Sequence, residues 1–132
     1  MIEKMINENV ESDKFATRRL TTLVVDDEHD LADVAAELLT YHGIDAVVAY
    51  SAHEALQIME ARQDIDAIFS DVMMPAMTGL ALAEVVTKNY PIVKIVLTSG
   101  FTALTYWDQA PCPYRFVKKP YLIDTVIQLL RS

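Results

Sequence analysis

The sequence predicts an α/β fold, a doubly wound parallel sheet with helices on both faces, and three observations carry that reading. Short apolar runs recur from residue 20 onward, three of them near-continuous and rich in Val and Ile, as strands covered on both faces would be. Amphipathic segments with a helical period lie between the runs. Run and segment alternate at the spacing of βαβ units with right-handed crossovers. A chain of 132 residues, 52% of them hydrophobic, suits one such domain with a core of its own.

Each element follows in order. Residues 1–19, MIEKMINENVESDKFATRR, carry four acids, four bases and no sustained apolar face, and read as a mobile arm ahead of a domain spanning 20–132. The predicted strands are LTTLVV (20–25), DAVVAY (45–50), IDAIFS (65–70), VKIVLT (93–98) and YRFVK (114–118). Leu31, Val34, Ala35, Leu38 and Leu39 share one helix face, and Gly43 stands at a plausible C′ position. Ser51 and Glu54 form a capping-box pair ahead of Ala55, Leu56 and Met59. Leu82, Val85 and Val86 mark a third helix, stopped by Pro91. Leu122, Val126, Leu129 and Leu130 mark the last one. Between the fourth and fifth strands, 99–113 reads SGFTALTYWDQAPCP, where Pro111 and Pro113 allow a short helix at most.

Composition narrows the function classes. Formal net charge is −8, from 19 acids against 11 bases, which argues against direct nucleic-acid binding and suits a carboxylate cluster that binds a cation. Cys112 is the single cysteine, so an intrachain disulfide is excluded and a reducing, cytoplasmic setting is expected. No apolar run approaches a membrane span, and no signal-peptide core follows Met1.

Strands of a parallel sheet end along one edge, where ligand sites form. Here the first ends in Asp26-Asp27-Glu28, the third in Asp71, the fourth in Thr98 and the fifth in Lys118-Lys119-Pro120. Aspartates gathered there repel one another and raise each other's pKa values. A hard divalent cation removes that conflict, and Mg²⁺ takes one or two carboxylates plus waters. A lysine and a threonine hydroxyl beside it complete a set that can hold and neutralise a phosphoryl group in transfer.

LVVDDEHD, SDVMMPAMTG, VLTSG and FVKKPY, in that order and spacing, resemble the receiver domain of two-component response regulators, the CheY-like family. The resemblance implies a flavodoxin-like (βα)5 sandwich with strand order 2-1-3-4-5. It implies that Asp71 accepts a phosphoryl group from phosphohistidine on a sensor histidine kinase or histidine phosphotransfer protein. Asp26, Asp27, Asp71 and the Met73 backbone carbonyl would hold Mg²⁺. Thr98 would hydrogen-bond the phosphoryl oxygen, Lys119 would pair with carboxylate or phosphate, and Phe116 takes the place of the family's rotating aromatic. The Lys119–Pro120 bond is expected to be cis. Catalysis would be confined to the protein's own phosphorylation and slow dephosphorylation. Met73 and Gly100 stand where family members place polar groups that orient an attacking water, so the phosphorylated state is expected to be long-lived.

Two departures from the family pattern stand out. Thr78 replaces the acid that commonly precedes the turn glycine. The 99–113 segment lacks the usual alanine- and glutamate-rich fourth helix, so the output face and any phosphorylation-dependent dimer transfer least; that segment is expected to order on phosphorylation. Because the chain ends at Ser132 after its last helix, a stand-alone receiver or relay is the expectation, with a receiver cut from a larger regulator or hybrid kinase as the alternative. A rival from another class is an aspartate-nucleophile phosphohydrolase, but its second acid two residues after the nucleophile is here Met73. A receiver-like binding module without phosphorylation is disfavoured by the complete set of site residues.

Other residues carry bland readings. His29, His42 and His53 lack metal-ligand spacing and suit solvated surfaces. Cys112 lacks a nearby base. Met73, Met74 and Met77 suit core and turn packing. Tyr106, Trp107 and Tyr114 suit packing into a core left open by a short fourth helix, with an exposed contact surface as the alternative.

Overall fold

The computed structural model describes residues 19–100 and 113–132. Five strands, β1 (Thr21–Val25), β2 (Asp45–Ala49), β3 (Ala67–Asp71), β4 (Lys94–Ser99) and β5 (Arg115–Lys118), form one parallel sheet in the order β2-β1-β3-β4-β5. Four helices are described: α1 (His29–Tyr41), α2 (Ala52–Ala61), α3 (Gly79–Asn89) and α4 (Ile123–Arg131). Residues 1–18 of the expected arm, and 101–112 where the short fourth helix is expected, with Tyr106, Trp107 and Cys112, lie outside the described residues.

Two apolar layers flank the sheet, and strand alternation divides the residues between them. Leu23, Val25, Ile68, Ile95, Leu97 and Phe116 face the layer containing Met59 of α2 and Leu82 and Val86 of α3. Val24, Phe69, Val96 and Val117 face the other, with Ala32, Ala35 and Leu39 of α1 and Val126 and Leu130 of α4. Central strands β1 and β3 are buried throughout, which accounts for their continuous apolar runs.

Several local expectations are refined. On α1, Ala32, Ala35 and Leu39 are buried, whereas Leu31, Val34 and Leu38 are 45%, 53% and 40% exposed. The expected single core face is thus two adjacent stripes, and the smaller residues let the helix approach the sheet. Leu122 is the exposed N-cap residue of α4 and lies outside its core face. Ser51 caps α2 by accepting from Glu54 N–H at 3.0 Å, but the Glu54 carboxylate reaches back to Tyr50 N–H at 2.8 Å, one residue before the cap. Gly43 has φ +88° behind α1, as a C′ glycine requires. Gly79, read from sequence as a turn glycine, is instead the first residue of α3 and has no positive φ; the left-handed residue of that loop is Ala76, at φ +68°. Thr78 is the N-cap, its hydroxyl accepting from Ala81 N–H at 3.1 Å.

Candidate functional site

One rule of placement builds the site. On a strand, residues two apart face the same way. Val24, Phe69, Val96 and Val117 all point into the layer under α1 and α4, and two positions beyond them stand Asp26, Asp71, Thr98 and Lys119. Four strands therefore deliver two carboxylates, a hydroxyl and an ammonium on one side of one sheet edge. Lys118, with the parity of Phe116, faces away and is exposed, so the choice between the two lysines is geometric.

Backbone pairing continues past the strands and fixes these positions. Asp71 and Thr98 are register partners, and Val72 N–H donates to Thr98 O at 2.9 Å. Asp26 N–H donates to Ala49 O at 3.2 Å, and Lys119 N–H donates to Ser99 O at 2.8 Å. The Lys119–Pro120 peptide is cis.

Asp26 and Asp71 are buried, and Asp27 beside them is half-exposed. One carboxylate oxygen from each of the three lies within 4.8 Å of the others. Lys119 Nζ bridges Asp71 Oδ2 at 3.3 Å and Asp26 Oδ2 at 3.4 Å. Asp26 Oδ1 accepts from Glu28 N–H at 3.0 Å, and Asp71 Oδ1 accepts from Met73 N–H at 3.3 Å. The lysine contacts are long for charge-assisted hydrogen bonds, so the ammonium is shared rather than locked to one carboxylate.

Burial pushes the Asp71 carboxyl above its ordinary range; Lys119 pulls it down and Asp26 pushes it further up, with burial prevailing. For Lys119, burial favours the neutral amine, but the adjacent Asp71 and Asp26 outweigh it and raise its pKa. The charge is uneven, with three carboxylates against one ammonium. Three hard oxygen donors, one of them open to solvent, fit a divalent cation such as Mg²⁺.

Thr98 Oγ1 is buried with no hydrogen-bond partner, an orphan donor beside Asp71. Phe116 is half-buried on β5 and packs with the α2–α3 layer, as does Tyr114. Met74 is buried and Met77 half-buried, while the Met73 side chain is exposed. All three histidines are exposed; His29 stacks on Tyr50, ring centroids 3.8 Å apart.

Sequence reasoning passed over Tyr121, although it ends the FVKKPY run. It lines a cavity of about 400 Å³ with Asp26, Leu31, Lys119 and Pro120. Its ring meets Phe69 edge-on at 5.3 Å, and burial pushes its phenol up. Ser70 was also missed: its buried hydroxyl donates to the Asp71 carbonyl at 2.9 Å.

The chain is similar to known proteins in sequence and in fold. The model of the response regulator receiver domain matches residues 22–131. A response regulator of Rickettsia bellii described as NtrX-like is 29% identical over 85% of this chain, which spans 24% of that protein. The sensor kinase CckA of Brucella abortus is 32% identical over 85% of the chain, which spans 13% of it. A response regulator receiver protein from Sinorhizobium medicae superposes with a TM-score of 0.75 at 25% identity, covering 88% of this chain and 98% of that one. This chain spans about a quarter or less of the curated relatives it matches, and the match falls on the part that carries the sheet and its acidic edge. No described helix is long and apolar enough to cross a membrane. The chain belongs to the response regulator receiver domain family, a signalling domain of two-component systems.

Proposed function

We propose that this domain takes a phosphoryl group from phosphohistidine onto Asp71 and thereby switches its binding to a protein partner. The observation that carries this reading is Lys119 Nζ shared between Asp71 and Asp26, with Asp27 in the same cluster. An Asp71 oxygen attacks phosphorus as the P–N bond breaks. The donor nitrogen keeps the electron pair and takes a proton, and the phosphoryl group is left as a mixed anhydride on Asp71. Attack of water at phosphorus later releases phosphate and restores the carboxylate. Asp26, Asp27, Asp71 and the Met73 carbonyl would hold Mg²⁺, which would supply positive charge for the phosphoryl oxygens.

The remaining residues act from their own positions. Lys119 follows the charge from carboxylate to phosphoryl oxygen, which its long contacts permit. Thr98 Oγ1 gains the acceptor it lacks in the unphosphorylated state. Phe116 reports that change to the face beside β5 by reorienting with Thr98.

The donor is a sensor histidine kinase or a histidine phosphotransfer protein. Leu31, Val34, Leu38 and Tyr41 form an exposed apolar stripe on α1, and Leu31 also lines the cavity beside Lys119. This spacing suits a partner helix, laid alongside with its histidine over Asp71.

Phosphoramidate, whose P–N bond matches that of phosphohistidine, tests the chemistry without a cognate kinase. With Mg²⁺ a single acyl-phosphate signal is expected in ³¹P NMR, not formed when chelator is present from the start and absent from Asp71→Asn. No signal, or one that persists in Asp71→Asn, contradicts the assignment.

A further inference from the structure

The backbone around Asp71 is held as closely as its carboxylate. A Cβ placed on Gly79 would overlap the Asp71 carbonyl oxygen, and would lie 2.9 Å from the Asp71 carbonyl carbon and 3.0 Å from Ser70 Oγ. Only a residue without a side chain lets α3 start there. Glycine is otherwise a poor choice for a helix, and φ at Gly79 does not call for it. Close approach is the reason that remains.

Two hydrogen bonds fix the Asp71–Val72 peptide, and a third fixes the peptide that follows it. Ser70 Oγ donates to Asp71 O at 2.9 Å, Val72 N–H to Thr98 O at 2.9 Å, and Gly79 N–H to Val72 O at 2.9 Å. They come from β3 itself, from β4 and from α3. Ser70 and Gly79 are both buried, so water does not replace these contacts.

We propose that Gly79 and Ser70 are positioning residues for phosphoryl acceptance: they press the Asp71–Val72 peptide between α3 and β4 and so set where the Asp71 carboxylate stands. The inference rests on Asp71 being the acceptor. Lys119 meets Asp71 at 3.3 Å, near the outer limit of a hydrogen bond. A shift of about 0.5 Å in the Asp71 backbone would part them, whereas the chemistry tolerates little misplacement.

The test compares wild type, Gly79→Ala, Ser70→Ala and the double variant Gly79→Ala/Ser70→Gly. Two readouts are taken on each: the phosphorylation rate constant per folded molecule with phosphoramidate and saturating Mg²⁺, and the ¹³C resonance of the Asp71 carboxylate. Gly79→Ala is expected to react roughly ten- to a hundredfold more slowly, with the resonance displaced. Ser70→Ala, which adds no atom, is expected to be several-fold slower. The double variant is expected to stay slow, because Ser70→Gly relieves the side-chain contact and leaves the overlap with the Asp71 carbonyl.

A lower melting temperature with a wild-type rate constant and an unmoved resonance would overturn the proposal and leave a structural role only. So would recovery in the double variant, which would place the conflict at Ser70 rather than at Asp71. If Gly79→Ala does not fold, Ser70→Ala decides, and a wild-type rate constant there overturns the proposal. If wild type takes no phosphoryl group on Asp71, the phosphoacceptor reading has failed. The carboxylate resonance then still decides whether Gly79 and Ser70 position it.

Discussion

Lys119 Nζ stands 3.3 Å from Asp71 Oδ2 and 3.4 Å from Asp26 Oδ2, one ammonium shared by carboxylates of two strands. It is the residue that lets two buried acids coexist before any cation arrives. Lys119→Met keeps much of the side-chain volume and removes the charge. Loss of about 1–3 kcal/mol of stability is expected at neutral pH in chelator, since two buried carboxylates lose their partner. Mg²⁺ should restore most of it, binding several-fold more tightly because the competing ammonium is gone. Urea unfolding with and without Mg²⁺ measures both effects; an unchanged Mg²⁺ affinity contradicts this role.

Burial raises the Asp71 pKa above its ordinary value, which fixes the sign of a pH effect. The folded state then binds its proton more tightly than the unfolded chain does. Its contribution is present below the unfolded pKa and is lost as pH rises through the folded one. In chelator at about pH 7, Asp71→Asn should therefore melt higher than wild type, by on the order of a few degrees. The gap should close as pH falls towards the ordinary carboxylate range of about 4. Melts across that range check the prediction, and a less stable Asp71→Asn at neutral pH would contradict it.

Thr98 and Thr22 each carry a buried hydroxyl without a partner. Replacement by valine keeps the shape, so Thr98→Val and Thr22→Val should both be neutral or stabilising by about 1 kcal/mol. They should differ in function. Thr98→Val should still be phosphorylated yet lose the conformational response, whereas Thr22→Val should keep it. Chemical-shift changes on adding a phosphoryl mimic and Mg²⁺ separate the two; a full response in Thr98→Val would rule out its proposed role.

The Met73 side chain is exposed at the site and has no group to orient water, and a Cβ on Gly100 would meet nothing within 4 Å. Phosphorylated wild type should decay slowly in Mg²⁺ buffer. Met73→Asn should shorten its lifetime roughly tenfold or more by placing a polar group beside the phosphorus. Loss of the acyl phosphate followed by NMR gives both rates; decay of wild type within seconds contradicts the expectation.

What the sequence made legible follows from strand geometry. Asp26, Asp71, Thr98 and Lys119 each lie two residues beyond an apolar strand position, so a period of two carries them to one face. Helix orientation was less legible on α1, where Leu31, Val34 and Leu38 compete with Ala32, Ala35 and Leu39. Both stripes are apolar, and hydrophobicity alone does not say that the smaller set faces the sheet. Gly79 was misread because a glycine after a Met-Pro loop suggests a turn. Its contact with Asp71 spans eight residues and a change of element, which no local pattern encodes.

The central proposal is that Asp71 is the phosphoacceptor, and intact-mass spectrometry tests it most directly. Wild type and Asp71→Asn are incubated with a small phosphodonor and Mg²⁺, and peptide mapping locates any adduct. One acid-stable, base-labile phosphoryl group on Asp71, absent from Asp71→Asn, is the predicted result. An unmodified wild type, or an adduct that survives in Asp71→Asn, would contradict it.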